Sequence, residues 1–137
     1  MCHRVLWAGS LLLAACGQQL ATPISARTSA GPEPTFDCVK QQLKELGYKQ
    51  SSIDTDAHRI SGTKIDDKTR RADTQFRRMV NRIDVEIAPQ ADGQTSIDVR
   101  GHTIAEYATQ RGPTEVEEKA SNEVTTAQKQ IVERCRS

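Results

Sequence analysis

Cysteine is the most reactive residue type in this chain, and there are four: Cys2, Cys16, Cys38 and Cys135. No two form C-x-x-C, and no histidine stands near Cys38 or Cys135, so redox and metal chemistry lack the spacing they need. His58 falls in an expected turn and His102 near the end of an expected strand, and neither belongs to H-E-x-x-H or another metal pattern. The sequence holds no G-x-S-x-G and no P-loop. Ser51-Ser52 beside Asp54 and Asp56 could be drawn as a catalytic group, but these residue types are ordinary turn formers. Asp66-Asp67 could be drawn as a carboxylate pair, and capping a short helix is the simpler role. No cofactor, metal site or catalytic residue is expected.

Charge supplies one candidate site. Residues 64–82 contain Lys64, Lys68, Arg70, Arg71, Arg77, Arg78 and Arg82 against Asp66, Asp67 and Asp73, a local balance of 7 − 3 = +4. Lys68, Arg70, Arg71, Arg77 and Arg78 could attract anionic lipid head groups, lipopolysaccharide phosphates or peptidoglycan carboxylates. The alternative is a solvated face balanced by the acidic start of the last helix.

Residues 1–17 carry a clearer signal. Arg4 precedes an uncharged run from Val5 to Ala15, a positive n-region and an h-region of secretory length. It is too short to span a bilayer, which takes about 20 apolar residues. The run ends Leu13-Ala14-Ala15-Cys16-Gly17, which resembles the lipobox of bacterial lipoproteins: an aliphatic residue, a small residue, Gly or Ala, then Cys. The resemblance implies that residues 1–15 are a signal peptide. It also implies that Cys16 receives diacylglycerol on its sulfur and becomes the new, acylated N-terminus. Gly17, which is not Asp, implies the outer membrane facing the periplasm in a Gram-negative source. Cys2 leaves with the leader and has no evident role.

Loss of residues 1–15 removes Arg4 as the only charge, leaving 18 − 18 = 0. A neutral chain does not fit nucleic acid as a partner. The partners that remain are the membrane, an envelope protein, peptidoglycan or lipopolysaccharide, with the oligomeric state open. Residues 17–34 are small, polar and Pro-containing, so residues 16–34 are expected to form the lipidated N-terminus and a flexible tether, and residues 35–137 one globular domain.

Elements follow from periodicity. Phe36, Val39, Leu43 and Leu46 lie at helical spacing, with Gly47 as C-cap. Residues 48–53 and 59–65 read as a polar hairpin. Ile83, Val85 and Ile87 alternate with Arg82, Asp84 and Glu86, residues 90–93 make a turn, and Ile97 and Val99 return the chain. Thr114 and Glu117 have capping-box spacing, followed by Val116, Ala120, Val124, Ala127, Ile131 and Cys135 on one helical face. Ala72, Phe76, Met79 and Val80 allow a short helix over residues 67–79. The expected fold is α+β: a two-layer sandwich, α-β-β-β-β-α, with a four-stranded antiparallel sheet and both terminal helices on one face.

In the oxidising compartment that export implies, Cys38 and Cys135 pair as a disulfide. The bridge is satisfied if the two helices lie antiparallel. The functional expectation is a non-enzymatic envelope lipoprotein that binds another protein or a wall polymer. The alternative is a small-molecule or lipid carrier with its ligand between sheet and final helix.

Overall fold

The alternation around Ile83 is the backbone of the molecule. In a computed structural model, which describes residues 20–137, it runs from Phe76 to Pro89. The elements in chain order are β1 (Pro23–Thr28), α1 (Pro32–Glu45), β2 (Lys49–Asp54), β3 (Arg59–Asp66), β4 (Phe76–Pro89), β5 (Thr95–Thr109), β6 (Gly112–Glu118) and α2 (Asn122–Cys135). All strand pairs are antiparallel, in the order β1-β5-β4-β3-β2, with β6 also on β5. Because β4 occupies one edge of β5, β1 and β6 share the other end to end, β1 against residues 95–100 and β6 against residues 103–109.

The period of two sorts the sheet into a dry and a wet face. Ile83, Val85, Ile87, Ile97 and Val99 point to the dry face and meet Phe36, Val39 and Leu43 of α1 and Ala127 and Ile131 of α2. The helices run antiparallel. Cys38, in the second turn of α1, is bonded to Cys135 at the end of α2 with Cα atoms 5.7 Å apart. At the other end Lys64 bridges the Leu46 carbonyl (3.2 Å) and Glu123 (2.8 Å). The expected disulfide is present.

Four expectations are corrected. The sheet has six strands, not four, and the two additions come from segments given other roles. Pro23–Thr28 is strand β1, not tether: Ile24, Ala26 and Thr28 turn inward while Pro23, Ser25 and Arg27 face out, and Pro23 is tolerated as the first residue of an edge strand. The Pro-rich run that follows opens α1, where a proline in the first turn loses no hydrogen bond it would otherwise make. Thr114 and Glu117 lie on β6, so the final helix starts later, capped by Ser121 Oγ, which accepts from the Val124 amide at 3.2 Å. Residues 67–75 form no helix. Asp66 accepts the Lys68 and Thr69 amides at 2.9 and 3.3 Å and turns the chain toward β4.

Candidate functional site

The cations singled out in the sequence meet different fates. Arg71 folds back over the sheet, donating to both carboxylate oxygens of Glu118 at 2.6 Å and to Tyr107 Oη at 2.7 Å, with its guanidinium 5.2 Å from the Phe76 ring centre. Its hydrogen bonds hold the Glu118 carboxyl below the usual range and push the Arg71 guanidinium further up. Arg78 pairs with Glu106, Lys64 with Glu123 and Arg82 with Asp84. Among the described residues no carboxylate lies within ion-pair distance of Lys68, Arg70 or Arg77. Arg70, Arg71, Arg77 and Arg78 line one open groove of about 370 Å³, and Lys68 stands outside it. Most of the local surplus of positive charge is thus answered by acidic residues from β4, β5, β6 and α2. Cys16 lies outside the described residues.

Three of the other sequence candidates hold turns in place. Asp54 Oδ1 accepts the Ala57 amide at 3.0 Å, closing the β2–β3 turn. His58, in left-handed backbone (φ 50°), sits 3.0 Å from Glu33 and edge-on to Phe36, tying that turn to α1. Asp66 takes the Thr69 hydroxyl at 2.6 Å, and this bond first, then the Lys68 amide, holds its carboxyl low.

The wet face of the sheet collects what sequence reading treated as scattered. Both helices cover the opposite face, leaving an open groove of about 680 Å³ lined by Ser52, Arg59, Ser61, Asp84, Arg100 and His102, among others. His102 is the most enclosed of its titratable side chains, 13% exposed. Its Nε2 lies 3.1 Å from Asp84 Oδ2 and its Nδ1 2.7 Å from Glu117 Oε1. Of the two contacts only that of Nδ1 with Glu117 has hydrogen-bond geometry, and the Nε2 approach to Asp84 is one of proximity. Ser61 Oγ donates to the other oxygen of Asp84 at 2.6 Å. Arg82 Nε approaches Asp84 at 3.3 Å but at an angle that makes no hydrogen bond.

This arrangement is a clamp, not a relay. Each imidazole nitrogen faces a carboxylate, and the serine hydroxyl faces Asp84 rather than the ring. A nucleophile with its base needs the hydroxyl on the imidazole. Asp84 and Glu117 approach opposite nitrogens and so do not converge. Among the described residues no group of three or more His, Cys, Asp and Glu is placed to hold a metal ion. Arg100, exposed beside Asp84 and Asp98, has no carboxylate within ion-pair distance among the described residues, and so has donors to offer a partner. Ser25 engages Asp98 from the neighbouring strand.

The cluster had a readable signal. Gln90 donates to Gln94 across the turn, and the same pairing carried back sets Asp84 against Arg100 and Arg82 against His102. Glu117 could not have been placed without recognising β6 as a strand.

No protein-family model matches the chain, and no curated protein matches it either. Among the described residues no helix is long and apolar enough to cross a membrane.

Proposed function

We propose that the chain is a lipid-anchored protein of the bacterial cell envelope that acts as a non-enzymatic binding module, with the open face of its sheet as the contact surface. The leader and Leu13-Ala14-Ala15-Cys16 support the anchor and, in a Gram-negative source, an outer-membrane position facing the periplasm. The observation that carries the binding role is the uncovered wet face. Four strands, β2 to β5, present hydroxyl, carboxylate and guanidinium groups around one groove, with Arg100 exposed and uncommitted among them. Such a face suits a polar partner, an envelope protein or a wall polymer.

The carrier alternative draws less support. The space between sheet and helices is filled: Phe36, Ile83, Ile97, Val99 and Ile131 are buried there, and a Cβ on Gly101 would lie 2.3 Å from Val124 Cγ1.

Crosslinking in intact envelopes tests the reading, with the wild-type chain beside Arg100→Glu and intact-mass analysis of each. Expected are a lipid adduct on Cys16, a discrete crosslinked species for the wild type, and its loss in a variant that keeps its disulfide. A lipidated wild-type chain that captures nothing specific would sink the binding role.

A further inference from the structure

Three contacts fix where the folded domain begins. The Ala120 amide donates to the Leu20 carbonyl at 3.2 Å, and Gln128 Nε2 donates to the Thr22 carbonyl at 3.0 Å and to the Val99 carbonyl at 2.9 Å. Pro23 then enters the sheet opposite Arg100. Gln128 is 1% exposed, so the clamp on Thr22 is part of the interior. The chain therefore leaves the fold at the junction of β1, β6 and the start of α2.

Only residues 17–19 stand between that point and Cys16. Whatever conformation they take, four residue steps span at most about 14 Å. The stalk is thus far shorter than the eighteen residues that composition suggested, and too short for the domain to turn over freely above a surface. Beyond residue 15 the formal charges cancel, so no net charge competes with the stalk in setting the attitude of the domain.

We infer that the β1/β6 edge of the sheet abuts the lipid surface holding the anchor, and that the β2 edge with α1 points away from it. The inference rests on lipidation of Cys16. Four inter-strand steps separate β6 from β2, about 19 Å at ~4.8 Å per step, so the two edges differ measurably in height. Glu115 on β6 and Ser51 on β2 are both exposed and report the two edges. The wet face then stands upright, reachable from the side by partners in the periplasmic space.

The test uses the full lipidated chain, reconstituted in vesicles of phosphatidylethanolamine and phosphatidylglycerol carrying a head-group acceptor dye. Glu115→Cys and Ser51→Cys each add one reactive thiol, because Cys38 and Cys135 are bonded and Cys16 carries lipid. The expected result is a donor-to-bilayer distance shorter for position 115 than for position 51 by about 10 Å or more, and loss of that difference when twenty Gly/Ser residues are inserted after Gly17. Equal or reversed distances in a lipidated, disulfide-intact chain overturn the inference alone, as does a difference that survives the insertion. A chain whose mass shows no lipid overturns the anchoring reading and takes the inference with it.

Discussion

A methyl group at position 101 would sit 2.3 Å from Val124 Cγ1 and 2.7 Å from Gln128 Oε1. Both neighbours are fully buried in α2, so neither can give way cheaply. Gly101→Ala is expected to cost about 1–3 kcal/mol of overpacking in a urea melt, and an unchanged midpoint would mean that α2 can shift. Tyr48 is the opposite case. Its hydroxyl is buried without a hydrogen-bond partner, and burial first, then Glu123, pushes its ionisation well above the usual phenol range. Tyr48→Phe removes a group that gains nothing from its site, so stability should hold or rise slightly in the same assay. Glu118 brings in pH. Arg71 holds its carboxyl low, so the pair stabilises the fold above the ordinary carboxylate range and loses that contribution as pH falls through the folded value. Arg71→Gln should therefore raise the pH of acid unfolding followed by circular dichroism; an unmoved acid limb would show the pair to be solvated. At this scale the sequence spoke clearly for Cys38 and Cys135. It was silent on Gly101 and Gln128, whose roles exist only once α2 lies across β5.

Elements were legible where one face is wet and the other dry. The β4–β5 hairpin, the middle of α1 and the second half of α2 announce themselves because apolar residues recur at a fixed period over a long stretch. The failures share a cause. β1 is a short edge strand whose inward residues are Ile24, Ala26 and Thr28, too few and too small for alternation to stand out against its prolines. In β6 the run Thr114-Glu115-Val116-Glu117 satisfies a capping box and an alternating strand equally well, and 46% exposure of Val116 shows how little burial was there to decide it. The antiparallel helix pair is where element-level reasoning can be tested by energy. The bridge closes a loop with a sequence separation of 97. Replacing both cysteines by alanine should lower stability by roughly 4 kcal/mol in the chain-entropy view. A loss under about 1 kcal/mol would mean that the helix packing alone already restrains the unfolded chain.

At the scale of the molecule, the question is where the independent folding unit starts. Composition placed the boundary at Thr35; packing places it near Leu20. A chain beginning at Thr35 would lack β1, exposing the β5 edge from Thr95 to Arg100 and stripping the wall that Ile24 and Ala26 add to the core. It would also lack the first turn of α1, including the Gly31 carbonyl that accepts the Thr35 hydroxyl at 2.8 Å. Gln128, buried and aimed at the Thr22 and Val99 carbonyls, would keep only the second. Burial of one Ile side chain alone is worth about 1.5–3 kcal/mol, and a bared strand edge invites pairing between copies. Residues 20–137 should therefore unfold in one cooperative transition and stay monodisperse, whereas residues 35–137 should melt lower by several kcal/mol and aggregate. Calorimetry with light scattering on the two chains decides the matter. Equal stability would return β1 to the role of a tether and with it lengthen the stalk that sets the domain's attitude to the membrane.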